Sequence, residues 1–173
     1  QEYYEFIFDA HVTGTSLGNV DYGRFAVVLA TTGTQGNSSN QPFALLYESG
    51  STSIPNFIGS TSLTTASIAD GEWHHYAMRI KTTGSNSVCD LFVDGDHDDR
   101  QIFSSKALTY VSGGTSGIVA TIGSMAAPIV TDSVATGSRG WCKFSGSLDE
   151  VRYWKTWRTS KEIQRYWFDQ VGA

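Results

Sequence analysis

The sequence predicts an all-β fold, a two-sheet antiparallel sandwich with one short C-terminal helix. Apolar and polar residues alternate with a period of two along most of the chain, which is typical of strands with one buried face. The composition, with 18 glycines, many Ser and Thr residues and three prolines, favours short strands joined by tight turns. A helical pattern occurs only near the C-terminus. These features indicate one sandwich domain over residues 1–173.

The individual strands follow from the alternation and from the turn residues between segments. The apolar run FAVVLA at residues 25–30 predicts a strand that is covered on both faces. Asp94 and Gly95 predict a type I′ hairpin turn. Two weaker strands are expected within residues 53–68. The other predicted strands are residues 6–12, 42–49, 73–81, 88–96, 118–124 and 141–154.

The first predicted strand has a simple parity. Its alternation sets an apolar face against a second, mixed face. The apolar face holds Phe6, Phe8, Ala10 and Val12, and the other face holds Ile7, Asp9 and His11.

The last predicted strand contains a conflict of parity. Phe144 and Leu148 fall on one face and Val151 on the other, so a bulge or bend is expected near Asp149 and Glu150. Asp149 is expected to point inward, where a carboxylate needs a partner. Bonding to backbone N–H groups is favoured over a structural ion.

The helical pattern lies in residues 158–168. Thr159 as N-cap and Glu162 three residues later form a capping box. Ile163, Tyr166 and Trp167 then share one helical face. We expect this helix to pack against the edge of the sandwich.

Charge and hydropathy restrict the partners. The net charge of -5 argues against a nucleic-acid partner, because an acidic chain is not attracted to phosphate backbones. No apolar stretch approaches the roughly 20 residues of a membrane span, so no membrane insertion is expected. The chain starts inside a predicted strand, which favours a mature form or an excised fragment.

The two cysteines, Cys89 and Cys142, allow two interpretations. A disulfide would fit an extracellular protein. Two half-buried thiols on neighbouring strands fit equally well. The sequence does not choose between them.

A known family is recognisable in four ordered blocks: ADGEWHHYAMRI, LFVDG, TIGS and FSGSLDEVRYWKTWRTSKEIQ. Over about residues 6–168 this set resembles the laminin-G-like jelly-roll domains of the concanavalin-A-like lectin/glucanase superfamily, with pentraxins as more distant relatives. The ending, KTWRTSKEIQRYWFDQVG, is similar to versions in phage and other viral surface proteins. The resemblance implies a jelly-roll sandwich. It does not assign an activity, because the group includes lectins, adhesion modules and hydrolases.

Residues for catalysis are not evident. Hydrolase branches of the superfamily carry E-x-D-x-x-E on one strand, and the sequence has no such match. His74 and His75 are adjacent and should diverge on a strand, so His74 is expected to be a hydrogen-bonded core residue. We therefore expect no enzymatic activity. A polysaccharide hydrolase or lyase is kept as an alternative.

Calcium is the metal that the sequence suggests. The run DGDHDD at residues 94–99 resembles the start of an EF-hand loop but lacks its glycine and closing glutamate, so a solvated hairpin tip is the preferred interpretation. The resemblance implies a better site on the two long loops, residues 31–41 and 125–140. Oxygen ligands of the kind that Ca²⁺ prefers are available there. The proposed metal ligands are Asn40, Gln41 and Asp132.

Sugar binding would use aromatic faces together with amide or carboxylate groups. Trp157 is expected to pack against the terminal helix instead. The candidate ligand-binding residues are Asn37, Asn40, Tyr22 and Trp141.

The function expected from this pattern is a non-catalytic binding module that recognises a glycan or glycoprotein through its edge loops, assisted by Ca²⁺. It would act outside the cell or on a virion surface. The alternative from a different class is a structural, decoration or receptor-binding domain of a virion or fibre. In that case the chain would form a homo-oligomer or a larger assembly.

Overall fold

The computed structural model describes residues 4–13, 23–30, 41–49, 52–104, 117–126 and 142–169. These residues form eight strands and two short helices. The strands are β1 (Tyr4–Val12), β2 (Gly23–Ala30), β3 (Phe43–Ser49), β4 (Thr52–Ile58), β5 (Tyr76–Thr83), β6 (Asn86–Val93), β7 (Asp96–Phe103) and β8 (Ile118–Ile122). The helices are α1 (Thr65–Ile68) and α2 (Ser160–Tyr166).

The strands form two antiparallel sheets. One has five strands in the order β4-β3-β2-β1-β8, and the other has three in the order β5-β6-β7. This arrangement confirms the predicted all-β sandwich, and α2 is the predicted C-terminal helix. Among the described helices, none is long and apolar enough to cross a bilayer.

The five-stranded sheet buries apolar residues on both faces. Between the sheets, Leu45 of β3 packs in one cluster with Cys89 and Leu91 of β6. On the opposite face, Val28 belongs to a second cluster that includes Met125. The prediction that residues 25–30 form a strand covered on both faces is therefore confirmed.

A β-bulge in β1 corrects the parity predicted for the first strand. Phe6 pairs with Val28, but Phe8 pairs with Val27, so the register shifts between Phe6 and Phe8. One extra residue in a bulge moves every later side chain to the other face. Asp9 thereby lies on the face of Phe6 and is fully buried.

The region after β3 differs from the prediction of two weaker strands within residues 53–68. The structure has one strand, β4, followed by the short helix α1. Thr64 caps this helix, and Ser67 completes a capping box by accepting a hydrogen bond from the Thr64 backbone N–H at 2.9 Å. The apparent second strand was wrong because Ser and Thr at helix starts compete with extended structure.

The predicted strand over residues 141–154 is also wrong. Of residues 142–154, only Lys143 takes part in a bridge, to Phe6 of β1. Cys142 and Glu150 each have a φ of 50°, which interrupts an extended backbone. Asp149 is exposed instead of pointing inward, and its Oδ1 accepts a hydrogen bond from the Glu150 backbone N–H at 2.8 Å. The expected bonding to backbone is thus present, without the expected burial.

Two local predictions are confirmed. Asp94 and Gly95 have φ angles of 50° and 84°, as a type I′ turn requires. Thr159 caps α2 in a capping box with Glu162. Both features are fixed by a few neighbouring residues.

The cysteines are free thiols in this structure. Both are buried, Cys89 between the sheets and Cys142 on the opposite face of the five-stranded sheet. Burial raises the pKa of the Cys89 thiol, so it stays protonated. Of the two interpretations, the structure has the buried thiols.

Candidate ligand-binding surface

Gln41 is the one sequence-predicted site residue within the described part of the chain. Its Nε2 donates a hydrogen bond to the Gly59 carbonyl at 2.8 Å, which ties the start of the β3 segment to the end of β4. The other predicted residues lie outside the described residues, so their assignment stays a prediction. They are Tyr22, Asn37, Asn40, Asp132 and Trp141.

The edge beside Gln41 is held together by the carboxylates of β7. The Gly59 backbone N–H donates to Asp99 at 3.0 Å. Ser60 donates to Asp98 twice, from its backbone N–H at 2.8 Å and from its hydroxyl at 2.6 Å. These contacts fasten the segment after β4 onto β7.

The described residues do not fit a calcium site. Asp98 and Asp99 accept hydrogen bonds from backbone and side chains, and no group of three His, Cys, Asp or Glu residues that could hold a metal ion occurs in the part of the chain that the structure describes. Calcium requires six to eight oxygen ligands. The run at residues 94–99 is a hairpin tip, in agreement with the preferred interpretation. The proposed ligand set around Asn40 and Asp132 is not tested by these contacts.

His74 is hydrogen-bonded, as predicted, but it lies at the rim and not in the core. Its Nδ1 is 2.8 Å from Asp94 Oδ2, and its Nε2 is 3.1 Å from Asp70 Oδ2. Hydrogen bonds to Asp94 and then Asp70 raise the pKa of His74 above its usual value. The side chain joins the turn before β5 to the β6–β7 hairpin, which is a structural role.

His75 precedes β5 directly, and its ring contacts a different part of the molecule from the ring of His74. Its ring lies 6.0 Å from the ring of Trp167, just after α2. Burial lowers the pKa of His75 below its usual value. The two imidazole rings therefore contact different groups.

A row of charged side chains crosses the outer face of the three-stranded sheet. Arg79 of β5, Asp90 of β6 and Arg100 of β7 are cross-strand neighbours. The Nε of Arg79 is 2.7 Å from one Asp90 oxygen, and the Nε of Arg100 is 2.5 Å from the other. Asp90 is fully buried beneath these contacts.

Asp90 remains ionised in this setting. Burial alone would raise the pKa of its carboxyl group, but hydrogen bonds from Arg100, Arg79 and His97 lower it to about 2. One negative charge is thus shared by two guanidinium groups, which leaves the row with excess positive charge.

Trp157 lies over this row, whereas its predicted packing against the terminal helix stays a prediction. The guanidinium of Arg79 is 4.5 Å from the centre of its ring, and the ammonium of Lys81 is 4.6 Å away. Arg79 and Lys81 are two residues apart on β5, so both stand on the same face. Cation–π attraction to two side chains of one strand fixes the indole on the sheet.

A second tryptophan continues the same surface. The guanidinium of Arg158 is 3.9 Å from the ring centre of Trp154. Arg79 Nη1 donates to the Arg158 carbonyl at 2.9 Å, which joins both contacts into one unit. We call Trp154, Trp157, Arg79, Lys81 and Arg158 the tryptophan surface.

The tryptophan surface is accessible from solvent. Trp154 is 53% exposed and Trp157 is 36% exposed. Aromatic rings bordered by N–H donors suit a ligand that presents both C–H faces and hydroxyl groups. Sequence reasoning missed this surface, although Arg79 and Lys81 share a strand parity opposite to Met78 and Ile80. That parity was the signal for an outward-facing basic pair.

The family of the chain follows from comparison with known proteins. The family model described as belonging to the concanavalin A-like lectin/glucanases superfamily, of the laminin-G type, matches residues 17–164. No curated protein and no solved structure matches the chain. The matched span covers most of the 173 residues and agrees with the two-sheet fold. The chain therefore belongs to the laminin-G-like family of the concanavalin A-like lectin/glucanase superfamily.

Proposed function

We propose that this chain is a non-catalytic binding module that recognises a glycan, free or on a glycoprotein. The superfamily to which it belongs commonly binds carbohydrates. The observation that supports the proposal most strongly is the tryptophan surface, where Trp154 and Trp157 are both held in place and exposed.

The chemistry of the tryptophan surface fits a sugar ring. An indole packs against the C–H face of a pyranose, and nearby N–H groups donate hydrogen bonds to its hydroxyls. Cations already contact both indoles, so little side-chain freedom is lost when a ligand binds. A pre-ordered aromatic platform is therefore available.

The surroundings of the buried carboxylates support a non-catalytic role. Asp9 and Glu48 face Arg24, and Asp90 faces Arg79 and Arg100. Glycoside hydrolysis needs a carboxylic acid whose pKa is raised so that it can donate a proton. Asp90, with its pKa lowered to about 2, is unsuited to that task.

The edge loops are a second part of the proposal. Gln41 lies just before β3, at the end of the predicted loop of residues 31–41, and the proposed Ca²⁺ ligands Asn40 and Asp132 belong to the same hypothesis. Calcium would there supply a coordination site for sugar hydroxyls. A binding assay with and without Ca²⁺ separates this contribution from that of the tryptophan surface.

A glycan array tests the proposal. The wild-type chain and the variant Trp154→Ala/Trp157→Ala are applied to neutral and acidic glycans, each with Ca²⁺ and with chelator. Trp73→Ala is the matched control, because Trp73 is 70% exposed and lies outside the tryptophan surface. We expect a wild-type signal that the double variant loses and the control keeps.

Two results would overturn the proposal. One is the absence of any glycan signal above background under both conditions. The other is a signal that the double variant retains while its thermal unfolding matches that of the wild type. Trp157→Phe keeps an aromatic ring, so it should retain part of the signal if stacking is the reason for binding.

A further inference from the structure

Positive charge is concentrated at the C-terminal end of an acidic chain. Residues 151–169 contain five of the 12 Lys and Arg residues but only two of the 17 Asp and Glu residues. The same stretch holds three of the five tryptophans. The chain as a whole has a net charge of -5, so this segment differs in sign from the rest.

The contacts of the tryptophan surface leave part of this charge uncompensated. Arg79 and Arg100 share the single carboxylate of Asp90, and Arg158 is 3.3 Å from Glu162. Lys81 forms no ion pair with any carboxylate that the structure describes, and it is exposed. Three basic side chains thus contact the two indoles, and of these only Arg79 and Arg158 have a carboxylate partner in the described part of the chain.

Covering Lys81 with a neutral ligand would remove water from an unpaired ammonium group. Such desolvation is costly unless a negative group replaces the water. Acidic residues elsewhere on the chain are screened over a Debye length of about 8 Å at physiological ionic strength. The local positive charge therefore decides which ligand is favoured at this surface.

We infer that the ligand of the tryptophan surface is an acidic polysaccharide, whose sugar rings stack on Trp157 and Trp154 while its carboxylate or sulfate groups pair with Lys81 and the neighbouring arginines. This inference rests on the proposed function and narrows its ligand class. A polymer with one anionic group every one or two sugars presents sugar rings and negative charges together, as the indoles and cations lie together here.

Matched pairs of polysaccharides test the inference, because each pair shares a backbone and differs in charge. Dextran sulfate is compared with dextran, and polygalacturonate with its methyl ester, by biolayer interferometry on the full chain. We expect each acidic member to bind at least about tenfold more tightly than its neutral counterpart, and the affinity to fall with added salt.

Charge reversal locates the contact. Lys81→Glu should weaken binding of the acidic polymers at least about tenfold. Lys143→Glu is the matched control, since Lys143 is also exposed but bridges to Phe6 in the other sheet, and it should bind as the wild type does. Lys81→Gln, which removes the charge without reversing it, should fall between the two.

The possible failures are distinguishable. Equal binding of neutral and acidic members, lost in Trp157→Ala, overturns the inference and leaves the proposed function intact. Binding of none of the four polymers, together with a blank glycan array, overturns both. Equal binding of inorganic polyphosphate or of anionic lipid vesicles, unaffected by Trp157→Ala, shows a general polyanion surface and also overturns the inference.

Discussion

The guanidinium of Arg24 holds both carboxylate oxygens of Asp9, at 2.8 and 2.6 Å, and both side chains are fully excluded from solvent. The β1 bulge makes this pair possible, because it turns Asp9 onto the face of β2 that carries Arg24. Glu48 of β3 lies 3.7 Å from the same guanidinium, and the Ala126 backbone N–H donates to Asp9 at 2.7 Å. Three strands and the segment after β8 therefore meet at one ion pair.

Removing one partner of this pair should destabilise the fold strongly. Arg24→Met leaves the buried charge of Asp9 uncompensated, so the free energy of unfolding should fall by about 3–5 kcal/mol. Urea denaturation measures the loss. Arg165→Met, on the exposed side of α2, is the control and should change stability by less than about 0.5 kcal/mol. A loss of that small size in Arg24→Met would contradict the structural role of the pair.

The His74 contacts predict that stability falls as pH rises above neutrality. The pKa of His74 is raised in the folded state, so folding takes up protons at this group. The stabilisation is fully present below the unfolded-state pKa of about 6.5, and it is lost as pH rises through the higher folded-state pKa. Tm measured from pH 6 to 9 should decline in the wild type and decline less in His74→Gln.

His75 should produce the opposite trend at lower pH. Its pKa is lowered by burial, so its contribution is present above about pH 6.5 and is lost as pH falls through the folded-state pKa. In His74→Gln we therefore expect Tm to fall on acidification below pH 6.5. Adding His75→Gln to this variant should reduce that fall. An unchanged pH profile in both variants would show that neither contact affects folding.

The hairpin turn should be sensitive to a single methyl group. Gly95 has a φ of 84°, and a Cβ added there would clash with the indole ring of Trp167. Gly95→Ala should cost about 2 kcal/mol, of which about 1 kcal/mol reflects the left-handed backbone and the rest the clash. In a Trp167→Ala background the cost should drop to the backbone part. The same cost in both backgrounds would show that Trp167 does not pack on the turn.

Local signals in the sequence were sufficient for the sandwich, the type I′ turn and the capped helix α2. Each depends on residues within a few positions, such as Asp94-Gly95 or Thr159 with Glu162. The β1 bulge could not be predicted in the same way, because the alternation of Phe6, Phe8 and Ala10 reads as a regular strand. Only its pairing with β2 shows the shift.

The tryptophan surface was missed for a related reason. Arg79 and Arg158 are 79 residues apart, and their contact exists only because Trp157 and Arg158 lie over the outer face of β5. The alternation pattern predicted a strand over residues 141–154. That prediction gave no indication that the residues following it would contact β5. Parity alone indicated that Arg79 and Lys81 point outward, but not that Trp157 would cover them.

The most direct test of a glycan site at the tryptophan surface follows the five indole N–H signals by NMR. The ¹⁵N-labelled chain is titrated with the oligosaccharide that gives the strongest array signal, and the signals are assigned with single Trp→Phe variants. We predict that the Trp154 and Trp157 signals shift in a saturable manner while that of Trp73 stays in place. Saturable binding that leaves the Trp154 and Trp157 signals unmoved would contradict a glycan site on this surface.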